Sequence, residues 1–282
     1  MVRLITNHLS VGYSERFIVK DISIEIPDQK ITAIIGPNGC GKSTLLKAMT
    51  RIIPHQSGSI ILDGKSIAKE NTKALAKKMA ILPQFFDGAS GLMAGELVSY
   101  GRYPYQKGLG RLTKRDLEVI DWALDVTETS AYKYVPVDSL SGGQRQRVWI
   151  AMTLAQETEI IFLDEPTTYL DMAHQLEVLE LLKKLNIEQK RTVIMVLHDL
   201  NHAARFADHI IALKDGRIVK AGNSEEVIQR DVLREVFHID AEIGRDPRTN
   251  KPICITYDLI KKGEDQHEKT SPPVPALARA SS

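Results

Sequence analysis

Short apolar runs recur along the chain and predict a series of β-strands. The predicted strands cover residues 4–11, 18–26, 31–35, 58–62, 79–82, 159–163, 192–197 and 209–213. Helical patterns lie between several of these runs. Strands that alternate with helices favour an α/β fold, in which helices cover both faces of a largely parallel sheet.

From residue 84 to residue 156 the spacing of apolar positions becomes helical. Thr113 and Asp116 form a capping-box pattern, which predicts the start of a helix. The apolar positions that follow at helical spacing are Leu117, Ile120, Ala123 and Leu124. We therefore expect an inserted helical subdomain at about residues 88–157, within a main domain of residues 3–240.

Beyond residue 222 the patterns become shorter. Helical and strand patterns continue to about residue 257, so we expect residues 241–260 to form a C-terminal extension. Residues 261–282 are polar, small and proline-containing. Such a composition buries too little apolar surface to fold, and we expect a disordered tail.

Composition narrows the class of protein only in part. The chain has 282 residues, 43% hydrophobic and 26% charged, with a formal net charge of +1, which is typical of a globular protein. This balance gives no support to nucleic-acid binding. The two cysteines, Cys40 and Cys254, lack metal-ligand or disulfide spacing, which fits a reducing compartment.

The N-terminus lacks a signal-peptide pattern, and no apolar run reaches the ~20 residues of a membrane span. A membrane role would therefore require docking onto another subunit.

A phosphate-binding motif lies between the strand at residues 31–35 and a helix predicted to begin at Lys42. Its residues are Gly36, Pro37, Asn38, Gly39, Cys40, Gly41, Lys42, Ser43 and Thr44. Glycines allow the backbone to wrap around phosphates, so that amide groups and the helix N-terminus point at negative charge. This is a P-loop, in which Lys42 is expected to reach the β- and γ-phosphates and Ser43 to ligate Mg²⁺.

The apolar run at residues 160–163 ends in two carboxylates, Asp164 and Glu165. In a P-loop enzyme the first would hold the magnesium ion and the second would act as general base for the attacking water. The alternative is a solvated strand end without catalytic function.

A third motif lies between the first two, namely Leu140 followed by Ser141, Gly142, Gly143 and Gln144. A serine hydroxyl and glycine amides at a helix start form an anion-binding surface, although the same residues could serve only as a helix cap. The three motifs follow one another in the order P-loop, residues 140–144 and acidic strand end. In this order the chain resembles ABC ATPases, in which the middle motif is called the signature. The resemblance implies that these signature residues bind the γ-phosphate of ATP held by a partner subunit.

Further positions match the same family, over about residues 4–237. Gln84 resembles the glutamine that contacts Mg²⁺ and the attacking water, and His198 resembles the histidine that contacts the γ-phosphate. Asp171 belongs to a segment similar to the loop that crosses the dimer interface. Tyr13 lies where the family stacks an aromatic ring on adenine, and Phe17 is close enough to compete for that role. Tyr169 departs from the small residue that many members have.

Three segments are most similar to ATPases of importers for ferric siderophores, haem and cobalamin: residues 101–105, 149–152 and 167–171. We favour the siderophore branch; a haem or cobalamin importer, an exporter and a soluble ABC protein are the alternatives. Tyr103 and Tyr105 are expected to form an exposed aromatic pair that docks a permease, or else to pack within the helical subdomain.

The resemblance implies a P-loop NTPase fold with a RecA-like, mostly parallel core, an N-terminal antiparallel β subdomain and the inserted helical subdomain. It implies ATP and Mg²⁺ as cofactors and a second copy of the chain as partner. It also implies integral-membrane permease subunits and, indirectly, an extracytoplasmic substrate-binding protein, but no nucleic acid. The expected location is the cytoplasmic face of the membrane.

Overall fold

The computed structural model describes residues 2–13, 16–84, 88–106 and 111–260. The predicted tail at residues 261–282 therefore lies outside the described residues. The strands are β1 (Val2–Tyr13), β2 (Arg16–Pro27), β3 (Ile31–Ile35), β4 (Ser57–Leu62), β5 (Lys65–Ser66), β6 (Met79–Leu82), β7 (Ile160–Leu163), β8 (Thr192–Val196), β9 (His209–Lys214), β10 (Arg217–Gly222), β11 (Ile239–Arg245) and β12 (Pro252–Leu259). The helices are α1 (Lys42–Met49), α2 (Thr72–Leu75), α3 (Ala94–Ser99), α4 (Lys114–Val126), α5 (Gly142–Ala155), α6 (Met172–Gln189), α7 (Leu200–Phe206), α8 (Ser224–Val227) and α9 (Arg230–Phe237).

The main sheet has six strands in the order β10-β9-β3-β8-β7-β6. All of these pairs are parallel except the edge pair of β9 and β10, which is antiparallel. Every residue of β3, β7 and β8 is buried, as expected for central strands covered on both faces. The predicted parallel α/β core is confirmed, and α1 begins at Lys42 as predicted.

A second, antiparallel sheet in the order β2-β1-β4-β5 packs against the main sheet through α1. One hydrophobic cluster contains Leu9 and Ile22 from this sheet, Leu46 from α1 and Phe162 from β7, all of them buried. Alternate residues of β3 point to opposite faces, so Ile34 joins this cluster while its neighbours in the strand join the other one. The strand that leads into the P-loop is thereby fixed from both sides.

Helices α3, α4 and α5 pack together in the segment that the sequence predicted to be helical. We call residues 88–106 and 111–157 the helical segment. The capping box at the start of α4 is present, since the Thr113 hydroxyl accepts from the backbone N–H of Asp116. Ile120, Ala123 and Leu124 are buried, but Leu117 is 48% exposed. Its inclusion in the apolar face was wrong, because Asp116 takes the inward position in the first turn.

The chain ends, within the described residues, in a hairpin of β11 and β12 that lies against α7. Asn201 of α7 donates to the carbonyl of Cys254 (3.1 Å) and accepts from its backbone N–H (2.8 Å). Cys254 itself is buried. Across the described residues, we find no helix long and apolar enough to cross a membrane.

Candidate active site

The candidate residues lie at one edge of the main sheet. The P-loop follows β3, Gln84 follows β6, Asp164 follows β7 and His198 follows β8. These four strands are parallel and occupy consecutive positions in the order β3-β8-β7-β6. Their carboxyl ends therefore meet at the same edge, where open α/β sheets bind ligands.

The P-loop has a tightly constrained backbone. Gly36 and Gly41 have φ angles of +153° and +106°, which favour glycine. A Cβ atom on Gly36 would lie 2.3 Å from the carbonyl oxygen of Leu213, so a side chain cannot fit there. The Lys42 ammonium is buried and donates to the carbonyls of Gly36 (2.8 Å) and Pro37 (2.9 Å). Because an ammonium has three N–H donors, one remains for a phosphate oxygen.

Asp164 and Ser43 form the second part of the site. The Ser43 hydroxyl donates to Asp164 Oδ1 at 2.8 Å, although the two residues are far apart in sequence. Asp164 is only 1% exposed, and its Oδ2 finds no hydrogen-bond donor within the described part of the chain. Burial raises the pKa of Asp164, opposed by the Ser43 hydrogen bond and by the positive charge of Lys47.

This pair fits a magnesium ion. A hydroxyl oxygen and a carboxylate with an unpartnered oxygen are hard donors, which Mg²⁺ prefers. The ion usually takes one or two carboxylates and completes its shell with phosphates and water. Accordingly, a protein-only cage is not needed, and within the described residues no group of three or more His, Cys, Asp and Glu side chains could hold a metal.

Glu165 is held by three neighbouring side chains. Gln84 donates to its Oε2 at 2.6 Å, and the Thr168 hydroxyl contacts the same oxygen at 3.1 Å. His198 Nε2 lies 2.7 Å from Oε1. The Glu165 side chain is 9% exposed, whereas that of His198 is 43% exposed. The structure thus brings together three residues that the sequence analysis assigned separately.

Thr168 was missed as a contact of Glu165 by the sequence analysis. The available signal was its position three residues after Glu165, the spacing at which a hydroxyl can reach back within a turn. The turn is tight, since Glu165 has φ +56°, a value that is unusual for a residue with a side chain.

The signature residues begin α5. Ser141 is the N-cap: its hydroxyl accepts from the N–H of Gln144, and Gln144 Oε1 accepts from the N–H of Ser141 at 3.0 Å. Ser141 and Gln144 therefore do cap α5. Around Gly142, a Cβ would meet no described atom within 4 Å beyond its chain neighbours and the backbone of its own helix turn. Nor does any hydrogen bond or ion pair between described residues join residues 141–144 to residues 36–44 of the same chain.

Asp171 caps α6. Its Oδ1 accepts from the backbone N–H of His174 (2.9 Å) and lies 2.8 Å from His174 Nδ1, and the backbone bond lowers the pKa of Asp171 most. Tyr169, two residues earlier, is 85% exposed and has φ +65°. A bulky residue in this conformation is strained, which is typical of functional loops.

The aromatic residues differ from one another in their environment. Tyr103 is 71% exposed, as expected. Tyr105 is half-buried: its hydroxyl donates to the carbonyl of Gln156 (3.0 Å) and Arg102 stacks 4.1 Å from its ring centre. The prediction of an exposed pair was thus wrong for Tyr105, because its hydroxyl and ring both have partners inside the helical segment. Tyr13 is the last residue of β1, and its side chain lies outside the described part of the structure.

The family model for ABC transporters matches residues 19–168. The chain belongs to the ABC transporter family. The iron(3+)-hydroxamate import ATP-binding protein of Bacillus subtilis (strain 168) is 58% identical over 94% of this chain and 98% of that protein. The ferric enterobactin transport ATP-binding protein of Escherichia coli (strain K12) is 42% identical over 90% of this chain and 94% of its own length.

Solved structures of the ABC transporter family share the fold. An inward-facing structure described as a metal-chelate type ABC transporter has a TM-score of 0.78 at 27% identity, covering 93% of this chain and 98% of that one. A dimeric ATP-binding cassette in a post-hydrolysis state, bound to ADP and Pi, has a TM-score of 0.68 at 30% identity, covering 78% and 98%. The predictions of an ABC ATPase fold and of ATP hydrolysis are confirmed. Likeness to dimeric cassettes and import subunits implies a partner cassette and membrane permeases.

Proposed function

We propose that this chain is the ATP-hydrolysing subunit of an importer for ferric siderophores. The observation that supports the substrate class is the 58% identity, over nearly the whole of both chains, to a subunit named for iron(3+)-hydroxamate import. Relatives at 50% and 48% identity are named for siderophore transport and for petrobactin import. The siderophore itself would bind to other subunits, so no residue of this chain selects it.

In the proposed site the P-loop, residues 36–44, holds the phosphates of ATP. Lys42 reaches the β- and γ-phosphates with its positive charge and its third N–H, and the backbone amides at the start of α1 complete the cradle. Tyr13 stacks on the adenine. The phosphate assignment is supported by the positive φ angles of Gly36, Gly39 and Gly41, a backbone conformation in which amide groups can surround an anion.

Ser43 and Asp164 are proposed as the protein ligands of Mg²⁺, with the side-chain oxygen of Gln84 as a further contact. When bound, the ion neutralises charge that develops on the transferred phosphoryl group. The free Oδ2 of Asp164 supports this assignment, since a buried carboxylate oxygen without a donor is costly unless a cation compensates it.

Glu165 is proposed as the general base. Its carboxylate accepts the proton of the attacking water, while Gln84 and His198 hold the carboxylate in one orientation. A carboxylate fixed by three neighbours loses little entropy when the water arrives, which favours a near-attack geometry. Thr168 contributes the third of these contacts.

Two copies would form two complete sites, each with Ser141 to Gln144 and the loop at Asp171 from the opposite copy. ATP then favours the closed pair because its γ-phosphate contacts both copies, and hydrolysis releases the two copies.

The proposed organisation has a main domain of residues 3–240, with the helical subdomain at about residues 88–157, and a C-terminal extension of residues 241–260. The exposed Tyr103 would contact a permease at the cytoplasmic face of the membrane, and an extracytoplasmic binding protein would deliver the substrate.

Uptake of a hydroxamate siderophore loaded with radioactive iron tests this function. Cells lacking the gene are complemented with the wild-type chain or with Glu165→Gln, and the ATPase activity of each purified chain is measured in parallel. We expect uptake only with the wild type. If uptake does not depend on this chain although its ATPase activity is intact, siderophore import is contradicted. A haem importer, a cobalamin importer or an exporter would then be favoured, and each is tested by transport of the matching substrate.

A further inference from the structure

The first turn of α5 packs against α6 of the same chain through one histidine. A Cβ atom on Gly143 would lie 2.6 Å from His174 Cδ2 and 3.1 Å from His174 Nε2, so the ring lies directly on the Gly143 backbone. Asp171 favours this orientation of the ring, because its Oδ1 lies 2.8 Å from His174 Nδ1. Within one chain, the signature residues are therefore in contact with the first turn of α6, which follows the loop after Glu165.

Two further contacts join the same pieces. Gln146, one turn further along α5, donates to the carbonyl of Pro166 at 2.8 Å, and Gln146 is only 8% exposed. Pro166 directly follows Glu165 in the chain. Arg147 forms ion pairs with Glu177 of α6 and with Glu128. The segment from Pro166 to Glu177 thus contacts the first half of α5 through three of its own residues, Pro166, His174 and Glu177.

We propose that His174 is a positioning residue that fixes the start of α5 relative to the loop carrying Glu165. This inference rests on the proposed function, in which the signature of one copy serves the nucleotide of the other. The start of α5 contacts the ATP bound by the partner copy, whereas Glu165 acts on the ATP bound by its own copy. A rigid link between α5 and Glu165 therefore couples the two ATP sites, so that closure around one ATP would align Glu165 at the other ATP.

The physical basis is the shape of the contact. Glycine at position 143 allows the ring to approach the helix backbone, and the Asp171 hydrogen bond holds the ring there. A loose contact would absorb a displacement, whereas closely packed atoms transmit it. Removal of the ring leaves the Gln146 hydrogen bond and the partly exposed Arg147–Glu177 ion pair as the polar contacts described between the start of α5 and this segment.

His174→Ala is the first test, with ATP hydrolysis measured over a range of ATP concentrations. We expect kcat to fall about tenfold, since a small misplacement should cost less than the about 100-fold that a shift of about 1 Å can cost. The Hill coefficient for ATP should fall towards unity, while the dissociation constant for a fluorescent ATP analogue stays unchanged. The matched control is His8→Ala, which removes another exposed histidine with an Asp partner at 2.8 Å, on β1. This control should match the wild type in all three measurements.

A double-mutant cycle separates positioning from a general structural defect. Gly143→Ala alone should lower kcat about 100-fold, because its methyl group collides with the ring. In the His174→Ala background the same substitution has room for the methyl group, and should cost only about tenfold. Equal effects of Gly143→Ala in both backgrounds would overturn the proposed contact.

The outcomes distinguish this inference from the proposed function. If the wild-type chain hydrolyses ATP and supports siderophore uptake, but His174→Ala keeps both the wild-type kcat and the wild-type Hill coefficient, the positioning role falls while the function stands. If the wild type hydrolyses ATP without supporting uptake, the function falls instead, and the cycle still reports on the contact. A lower melting temperature for His174→Ala with unchanged kcat would assign the residue to stability alone and overturn the proposal.

Discussion

Replacement of Arg102 by alanine is expected to destabilise the helical segment strongly. The guanidinium is almost fully buried and forms ion pairs with Asp116 (2.8 Å) and Glu157 (2.7 Å). It also donates to the carbonyl of Ala155 at 2.7 Å and stacks on the ring of Tyr105. The Asp116 side chain is only 4% exposed, so Arg102 takes the place that water would otherwise have beside this carboxylate.

The expected cost follows from that burial. Removing one partner of a buried ion pair costs about 3–5 kcal/mol, because an uncompensated charge stays behind. With an m-value of about 3 kcal/mol/M, the urea midpoint should fall by about 1 to 1.7 M. Trp122 in α4 and Trp149 in α5, the only two tryptophans of the chain, report on this segment by fluorescence.

Arg115→Ala is the matched control. Arg115 pairs with Glu157 at 2.6 Å in the same network, but its side chain is 66% exposed. Exposed pairs contribute about 0–1 kcal/mol, so this variant should stay close to the wild type. Adding Asp116→Asn to Arg102→Ala should recover part of the loss, since it removes the stranded charge. Equal destabilisation by Arg102→Ala and Arg115→Ala would refute the argument from burial.

Three further predictions concern the active site and the pH dependence of stability. Glu165→Gln should retain ATP binding but lower turnover by about 10²–10⁴-fold, and normal hydrolysis would remove Glu165 from the role of base. Gly36→Ala should weaken ATP binding, measured by fluorescence titration, more than Gly39→Ala does. The added methyl group at position 36 meets a backbone oxygen at 2.3 Å, whereas the one at position 39 meets nothing within 4 Å, and equal effects of the two changes would contradict this. Burial alone would raise the pKa of Asp116, but hydrogen bonds from Thr113 and Arg102 outweigh it and hold the pKa below its ordinary value. The stability difference between wild type and Arg102→Ala should therefore shrink as the pH falls below about 4, where Asp116 becomes protonated, and a constant difference in urea titrations would refute this.

Local sequence determined the parts of this protein that depend on neighbouring residues. The P-loop is readable because its glycines and Lys42 are contiguous, and backbone conformation and helix start are set within a few residues. The buried strands β3, β7 and β8 are readable because a strand covered on both faces needs an unbroken apolar run. The capping box at Thr113 likewise needs only a four-residue pattern.

Tertiary structure decided which distant residues meet. Ser43 reaches Asp164, and His198 reaches Glu165, only because the strand order places their loops side by side. The inward turn of Asp116, which exposes Leu117, depends on Arg102, which lies outside α4 in the turn that follows α3. The contact of His174 with Gly143 has no sequence signature, since it joins two helices through space. Short-range patterns fix backbone conformation, whereas the partners of a side chain are chosen by packing across the whole fold, and a linear pattern does not contain that information.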